Sequence, residues 1–343
     1  MLIYNNLKYK EEISSFNKTL DLTFLQGKTI FIAGACGLIG SYFIDSILVN
    51  KNQNTKIIAL VYTDRDFARF KNDARLIFVR GDVRDAGVFE KINLKIDYVI
   101  NAASIVDPKG YKERPIDTML INLLGTKNLL DLSVKNGAKF LLLSSCEIYG
   151  EADVDLIDED YCGKINSMEI RSGYNESKRA CETLSVSYAV EKNIDVFVAR
   201  LSRTFGPTQS PYDTKALSQF IKNGILRQNV VLKSSGTQLF SYTYVKDIVS
   251  GLFTIIQKGE SMNAYNVCSD EILRLKDVAK IISNYAGTKV VFDFSDDGLS
   301  SGYSKANLAI QNPNKLKALG WQPMTKICDG IYQTIEILKE LYY

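Results

Sequence analysis

Tyr174 and Lys178 stand four residues apart in a stretch whose apolar positions have helical spacing. That interval places both side chains on one face of a helix. A nearby ammonium favours the tyrosinate form, so the phenol can exchange a proton with a substrate hydroxyl. The chain of 343 residues contains no histidine, which excludes Ser-His-Asp catalysis and histidine metal ligation. Proton transfer must therefore come from Tyr, Lys, Glu, Asp or Cys side chains.

A short apolar run that ends in two serines precedes this helix. The second serine, Ser145, stands where its hydroxyl can hydrogen-bond the same substrate oxygen as Tyr174. A Tyr-x-x-x-Lys pair alone is common on helix surfaces. Its combination with Ser145 and with a glycine-rich loop earlier in the chain predicts an enzyme that holds a nicotinamide dinucleotide and moves a hydride.

The glycine-rich loop begins at Gly34 and continues through Gly37, Leu38 and Ile39 to Gly40. It follows an apolar run and opens a stretch with helical spacing, which is the context that a dinucleotide-binding motif needs. Glycines let the backbone turn tightly and approach a pyrophosphate, and the helix N-terminus supplies N–H donors to it. We therefore predict that these five residues bind the cofactor, although the spacing is GxxGxxG and not GxGxxG.

The ends of two later apolar runs supply further predicted cofactor contacts. Asp82 and Val83 follow the third run, where an Asp can meet the adenine. Ala102 and Ala103 follow the fourth run, where small residues let the cofactor lie close.

The end of the second apolar run bears on the choice between NAD and NADP. An NAD-binding chain usually carries an acid there for the adenosine ribose, and Val61 and Tyr62 occupy that place. Asp64 can still reach a ribose hydroxyl, whereas Arg65 can meet the 2′-phosphate of NADP. We predict NAD, held in part by Asp64, and the sequence leaves NADP open.

Short apolar runs such as Thr29–Ala33 alternate with helical stretches near 117–136 and 174–192. This alternation predicts an α/β fold, a Rossmann doubly wound parallel sheet. A smaller α/β C-terminal substrate lobe follows, and we expect the short strand Tyr265–Val267 to lie in it. The predicted divisions are an N-terminal lead-in at 1–26, a dinucleotide-binding domain at 27–200, and a mainly substrate-binding lobe at 201–343.

The composition predicts a cytoplasmic protein that acts on small molecules. The net charge is +3, and no basic run is long enough to track a nucleic acid. No apolar stretch approaches the roughly 20 residues that span a bilayer, and the N-terminus lacks the layout of a signal peptide. None of the six cysteines forms a CxxC pair. We therefore expect reduced thiols, no metal site, and neither a nucleic acid nor a membrane as partner.

Over residues 27–340 the chain resembles the extended short-chain dehydrogenase/reductase family, in particular its nucleotide-sugar epimerases, dehydratases and decarboxylases. The motifs that carry the resemblance are the GxxGxxG loop, Gly81-Asp82, Asn101-Ala102-Ala103, Asn122 to Thr126, Ser145, the Tyr174/Lys178 pair and Arg200 to Pro207. Such enzymes bind NAD(P) in the N-terminal lobe and a nucleotide sugar in the C-terminal lobe. They oxidise the sugar at C4, alter the ketosugar and often return the hydride, and the resemblance implies a role in making surface-glycan precursors.

The resemblance also implies a role for each catalytic residue. Tyr174 would be the base, Lys178 would tune it and hold the nicotinamide ribose, and Ser145 would orient the C4 hydroxyl; Tyr174 and Lys178 thus also belong to the cofactor-binding set. Glu147 would face C5 of the sugar, where a 4-keto group acidifies the proton that a carboxylate can remove. The alternative is a carboxylate that only caps a helix or forms an ion pair. A homodimer built from the helices near 117–136 and 174–192 is the implied assembly.

Some positions depart from the family pattern. Cys146 occupies the place of the Asp with which dehydratases protonate the departing 6-hydroxyl. Phe240 stands where many members carry Arg, and Arg203 stands where relatives often have Asn. Arg203 could therefore hold the diphosphate in a compensating exchange, or it could be a surface arginine. Lys215 and Lys233 are weaker candidates for binding phosphate.

These residues leave three functions open. The first is a nucleotide-sugar enzyme that oxidises C4 and then acts at C5 or C6, and Glu147 favours it, since plain reduction needs no acid facing C5. The second is an NADPH-dependent nucleotide-ketosugar reductase, which Arg65 and the missing acid near Val61 favour. The third is a non-catalytic dinucleotide-binding scaffold, against which Ser145, Tyr174 and Lys178 argue together.

Overall fold

The computed structural model describes residues 3–62, 73–294 and 308–342. Asp64 and Arg65, on which the choice between NAD and NADP was predicted to depend, lie outside the described residues. The described helices are α1 Leu7–Asn17, α2 Leu38–Leu48, α3 Gly87–Glu90, α4 Pro108–Glu113, α5 Pro115–Asn136, α6 Ser172–Lys192, α7 Ala216–Ile225, α8 Val245–Lys258, α9 Leu275–Ala286, α10 Asn314–Lys317 and α11 Ile327–Tyr342, with 3-10 turns at Ile3–Asn5, Thr23–Leu25 and Cys146–Tyr149. None of these helices combines the length and apolarity that crossing a membrane requires.

The described strands fall into one large sheet and two small ones. They are β1 Thr29–Ala33, β2 Lys56–Val61, β3 Leu76–Arg80, β4 Tyr98–Asn101, β5 Lys139–Ser145, β6 Val196–Leu201, β7 Arg203–Phe205, β8 Val230–Leu232, β9 Leu239–Tyr244, β10 Asn263–Val267, β11 Ile272–Arg274, β12 Val290–Phe292 and β13 Leu308–Ala309.

Seven strands form a parallel sheet in the order β10-β6-β5-β4-β1-β2-β3. The chain runs outward from β1 to β3, returns to β4 on the other side of β1, and then runs outward in the opposite direction. The connections therefore diverge at the carboxyl ends of β1 and β4, which is where open α/β sheets form their ligand crevice. The predicted doubly wound parallel sheet is confirmed.

Helices cover both faces of this sheet. On one face, Leu129 and Leu130 of α5 and Cys181 of α6 join the apolar side chains of the strands. On the other face lie α2 and α8, whose Phe43 and Phe253 rings stack at 4.5 Å. Because both faces are buried, β1 is a continuous apolar run and lacks the alternation of a half-exposed strand.

The smaller lobe is built around β9, which pairs with β7, β11 and β13, while β8 and β12 form a separate pair. Tyr265–Val267, which we expected in this lobe, instead belongs to β10 at the edge of the large sheet beside β6. The reason is that α8 packs against α2 and carries the chain back to the sheet. The divisions at residues 26 and 200 stay predictions.

The N-terminal lead-in is anchored to both lobes. The Glu12 carboxylate on α1 accepts hydrogen bonds from Tyr42 on α2, at 2.6 Å, and from Tyr244 at the end of β9, at 2.8 Å. Burial raises the pKa of Glu12, and these phenol hydrogen bonds oppose the shift. The lead-in therefore joins the first helix after the glycine loop to the central strand of the smaller lobe.

Candidate active site

A cleft of about 820 Å³ lies at the carboxyl ends of β1 and β4 and is bounded by both lobes. The predicted site residues that line it are Gly34, Gly37, Leu38, Ile39, Gly40, Asp82, Val83, Ala102, Ala103, Ser145, Glu147, Tyr174, Lys178, Arg203, Lys215 and Lys233. Its size suits a small-molecule site. The structure thus brings into one cleft every predicted site residue that it describes.

The glycine loop fits closely between the ends of β1 and β4. Gly34 has φ +77°, and a Cβ on it would lie 2.3 Å from the backbone oxygen of Ala102. A Cβ on Gly40 would lie 2.3 Å from the oxygen of Gly34. Gly37 occupies the N-cap of α2 and donates its N–H to Gly34 O at 3.1 Å. The loop therefore leaves the N-terminus of α2 close to the cleft, an arrangement that fits the pyrophosphate of a dinucleotide.

Asp82 lies at the predicted adenosine end of the cleft but is already engaged by a neighbour. Arg84 donates to its carboxylate at 2.7 Å and to Asp117 at 2.6 Å. The hydrogen bonds from Arg84 hold the pKa of Asp82 below its usual value. Sequence reasoning missed Arg84, and also Tyr62, an exposed ring that lines the cleft at the end of β2. Arg84 follows the end of β3 and Tyr62 follows the end of β2, and this position at the edge of the sheet could have indicated both residues.

Tyr174 and Ser145 bring two hydroxyls together in the cleft, the first buried and the second half-buried. Tyr174 is 6 % exposed, its hydroxyl lies near that of Ser145, and its ring packs 4.7 Å from the ring of Tyr111. Ser145 ends β5 and also accepts the N–H of Glu147 at 3.2 Å. This arrangement leaves room for one substrate oxygen to meet both hydroxyls, and the role of Ser145 stays a prediction.

Lys178 lies on the same face of α6 as Tyr174, with its ammonium 6.0 Å from the centre of the tyrosine ring. The ammonium donates to the Leu143 carbonyl at 2.8 Å, and burial lowers its pKa. We expected it to favour the tyrosinate, but burial raises the pKa of Tyr174 to about 12, and the neighbouring Ser145 hydroxyl opposes that shift only in part. Desolvation outweighs the cation in this structure.

Glu147 lies between two arginines. One oxygen of its carboxylate lies 2.8 Å from Arg171 Nη2, and the other lies 3.4 Å from Arg203 Nη2. The Glu147 side chain is largely buried. Arg171 also donates to Asn175 at 3.2 Å. Sequence reasoning missed Arg171, although it precedes Tyr174 by three residues and therefore shares its helical face. Glu147 thus forms ion pairs in the cleft. Its removal of the C5 proton stays a prediction.

Arg203 reaches the cleft from β7 and lies flat on a phenylalanine. Its guanidinium carbon is 3.7 Å from the centre of the Phe240 ring. The two strands are neighbours, with Arg203 paired in register with Tyr242. The guanidinium contacts Glu147, the carboxylate predicted to face the sugar. Binding of the diphosphate by Arg203 therefore stays a prediction. Lys215 lines the cleft and pairs with Asp213 at 3.0 Å.

Cys146 is a buried thiol beside these groups. Burial raises its pKa to about 11, and the Glu147 charge adds to the shift. A protonated thiol of this kind is a weak acid near neutral pH. All six cysteines are free, and among the residues described no cluster of three or more His, Cys, Asp or Glu side chains is arranged to hold a metal ion.

The model of the NAD dependent epimerase/dehydratase family matches residues 30–268. The chain belongs to this family. Membership confirms the resemblance drawn from the motifs and the prediction of an NAD-dependent enzyme.

Several decarboxylases are similar to this family member in sequence. It is 29 % identical over 311 residues to UDP-glucuronic acid decarboxylase 5 of Arabidopsis thaliana, covering 88 % of this chain and 86 % of that protein. It is 28 % identical over 316 residues to UDP-glucuronic acid decarboxylase 1 of Xenopus tropicalis, covering 91 % of this chain and 72 % of that one.

Solved structures of other members share the fold. UDP-glucose 4-epimerase from Thermotoga maritima, solved with UDP-glucose, superposes with a TM-score of 0.80 at 21 % identity, over 92 % of this chain and 100 % of that one. dTDP-glucose 4,6-dehydratase from Streptomyces venezuelae, solved with NAD, superposes with a TM-score of 0.79 at 22 % identity, over 91 % of this chain and 97 % of that one.

Proposed function

We propose that this enzyme oxidises the sugar of a nucleotide sugar at C4 and then acts at C5 or C6, as a 4,6-dehydratase, a decarboxylase or an epimerase. The observation that carries the proposal is that the Ser145/Tyr174 hydroxyl pair and the Glu147 carboxylate share one cleft with the glycine loop. The names of the similar proteins support the same class. As the family resemblance implies, we extend the proposal to the supply of surface-glycan precursors.

In the first step Tyr174 accepts the proton of the C4 hydroxyl while Ser145 orients that hydroxyl. NAD, when bound, supplies the acceptor for the hydride that leaves C4. Because burial raises the pKa of Tyr174, the phenol loses its own proton only when positive charge lies close. The Lys178 ammonium, 6.0 Å from the ring, does not offset burial by itself; it would hold the nicotinamide ribose, and the positively charged nicotinamide ring of NAD would then add to its charge.

The second step takes place beside Glu147. A ketone at C4 acidifies the C5 proton, and a carboxylate that faces C5 removes it. Arg171 and Arg203 stabilise the ionised form of Glu147, which is the form that accepts a proton. The same two cations can offset negative charge that develops on the sugar.

The test is incubation of the NAD-loaded enzyme with UDP-, GDP-, CDP- and dTDP-sugars, followed by mass spectrometry and absorbance of reduced cofactor. Loss of water, loss of carbon dioxide and an unchanged mass with altered retention identify a dehydratase, a decarboxylase and an epimerase, respectively. A gain of two hydrogens that requires added NADPH would instead identify a reductase. Absence of any product across the panel would refute the proposal.

We predict that Tyr174→Phe abolishes turnover and leaves NAD binding nearly intact, because the ring still fills its site while the proton acceptor is gone. A loss of about a hundredfold to ten-thousandfold is expected. Tyr188→Phe is the matched control, since Tyr188 lies on the same helix with its hydroxyl bonded to Asp131 at 2.7 Å. Turnover of Tyr174→Phe within a few-fold of the control would show that Tyr174 is not the proton acceptor.

A further inference from the structure

The Glu12 carboxylate on α1 lies where the N-terminal lead-in meets both lobes. It accepts hydrogen bonds from the Tyr42 hydroxyl on α2, at 2.6 Å, and from the Tyr244 hydroxyl at the end of β9, at 2.8 Å. Both tyrosines are buried, and each has a single phenol hydrogen to donate. One carboxylate therefore joins two elements that belong to different lobes.

α2 is the helix whose N-terminus borders the cleft. Gly37 occupies its N-cap at the end of the glycine loop, and Tyr42 lies just over one turn further along. α1 holds this helix at a second point, since Tyr9 donates to Asp45 at 2.7 Å. The rings of Tyr9 and Phe16 also pack on the Tyr42 ring, at 6.1 and 5.8 Å. A displacement of α2 therefore acts directly on the lead-in.

β9 is the strand that carries the smaller lobe's wall of the cleft. Phe240 and Tyr242 line the cleft, and Tyr244 ends the same strand two residues later. Tyr244 is the register partner of Phe205 on β7, and their rings lie 5.6 Å apart. β7 begins with Arg203, which also lines the cleft. The Tyr244 hydroxyl thus belongs to the pair of strands that shapes this wall.

A second contact between the lobes lies closer to the cleft. Thr208, which follows β7, donates its hydroxyl to the Leu38 carbonyl at the start of α2, at 2.6 Å. The start of α2 is thus held to the segment after β7, while Glu12 holds the middle of α2 to the end of β9. Together the two contacts connect the glycine loop to both strands of the smaller lobe's wall.

The charge of Glu12 does not stabilise the fold. Burial raises the pKa of Glu12, and hydrogen bonds from the two phenols, the charge of Lys246 and a hydrogen bond from Gln333 oppose that shift only in part. A raised pKa means that the folded protein binds this proton more tightly than the unfolded chain does, so ionisation of Glu12 lowers stability as the pH rises. A neutral side chain of the same shape should therefore leave the fold intact.

We propose that Glu12 is a positioning residue that couples the two halves of the cleft, so that bound NAD tightens the binding of the nucleotide sugar. The inference rests on the proposed function, which places the two ligands on different walls of the cleft. A displacement of α2 by the dinucleotide is transmitted through Tyr42, Glu12 and Tyr244 to β9. By linkage, the nucleotide sugar tightens the binding of NAD by the same factor.

The test is calorimetric titration of UDP into the NAD-free and the NAD-loaded protein. The ratio of the two dissociation constants measures the coupling, and wild type should give a ratio of at least about tenfold. If the nucleotide-sugar panel identifies another base, the nucleoside diphosphate of that base replaces UDP.

Tyr42→Phe and Tyr244→Phe each remove one hydroxyl of the bridge and keep the ring. Each should lower the ratio at least about threefold and leave the affinity of the NAD-free protein for UDP within about twofold of wild type. Because both hydroxyls act through Glu12, the double variant should lose no more coupling than either single variant. A purely structural role would instead weaken UDP equally with and without NAD and leave the ratio unchanged.

Tyr188→Phe is the matched control, since it removes a phenol–carboxylate bond of 2.7 Å between α6 and α5 and should keep the wild-type ratio. Glu12→Gln should lower the ratio less than the phenylalanine variants do, because an amide oxygen still accepts hydrogen bonds. It should unfold in urea at the wild-type midpoint or above it. Glu11→Gln, at the exposed position beside it on α1, should keep the wild-type ratio. Glu12→Gln decides the matter if the phenylalanine variants do not fold.

Two results would overturn the inference while leaving the proposed function standing. One is a ratio near one in wild type, and the other is a wild-type ratio in both Tyr42→Phe and Tyr244→Phe. Failure of the nucleoside diphosphate to bind wild type, together with absence of product in the nucleotide-sugar panel, would overturn both proposals.

Discussion

Replacing Gly34 with alanine tests whether the loop after β1 is shaped for a dinucleotide. Gly34 has φ +77°, and its added Cβ would lie 2.3 Å from Ala102 O and 2.7 Å from Ala103 N. Those are backbone atoms, and Ala102 is held by its N–H bond to Ala33 O at 2.9 Å. The loop must therefore move away from the end of β4.

Gly287 provides a control that separates strain from close approach. It has φ +68°, and an added Cβ would meet nothing within 4 Å. Gly287→Ala should therefore cost only the left-handed backbone conformation, about 1–2 kcal/mol. Gly34→Ala should cost the same amount and a further 1–3 kcal/mol or so for overpacking.

Urea unfolding without cofactor and titration with NAD distinguish the two contributions. We expect Gly34→Ala to be the less stable variant and to bind NAD at least about tenfold more weakly, since the shifted loop no longer presents the α2 N-terminus. Gly287→Ala should bind NAD as wild type does. Equal destabilisation of the two variants, or unchanged NAD affinity in Gly34→Ala, would refute the reasoning.

Three further predictions follow from the site and the helices. Glu147→Gln should still form reduced cofactor but stall afterwards, with a loss of about a hundredfold to ten-thousandfold and no solvent deuterium at C5; normal turnover would make Glu147 structural. Cys146→Ala should change turnover little, because the buried thiol has a pKa of about 11, and a large loss would identify it as an acid. The chain should sediment as a dimer at micromolar concentration, and Leu124→Glu on the exposed part of α5 should give monomers; a monomeric wild type would contradict the expected dimer of α5 and α6.

The sequence was a good guide to the large sheet because burial on both faces leaves a strong local pattern. β1 is buried at each position and coincides with the predicted run Thr29–Ala33. The identity of the neighbouring strand in the sheet leaves no comparable pattern in the local sequence. Asn263–Val267 was recognisable as a strand only in part, and its place beside β6 depends on α8 packing on α2, a contact between residues some two hundred positions apart.

At the site, spacing predicted which side chains meet but not their electrostatics. The four-residue interval correctly places Tyr174 and Lys178 on one helical face. Whether the ammonium or burial controls the phenol depends on how much water reaches the pair, and that is a property of the packed fold. Tyr174 is almost fully buried, so desolvation dominates its pKa.

The exchange between positions 203 and 240 shows where single positions mislead. Phe240 stands where the resemblance suggests that many members carry Arg, so the sequence alone suggests that the cleft has lost a cation. The pairing of β7 with β9 supplies a cation from another position, because Arg203 is the register partner of Tyr242 and its guanidinium lies on the Phe240 ring. A cation–π interaction contributes about 0.5–2 kcal/mol. The Phe240 ring therefore helps to position the Arg203 guanidinium in the cleft. Because the guanidinium arrives from β7 and not from β9, it reaches the Glu147 carboxylate at 3.4 Å, a contact that the residue types at positions 203 and 240 do not reveal.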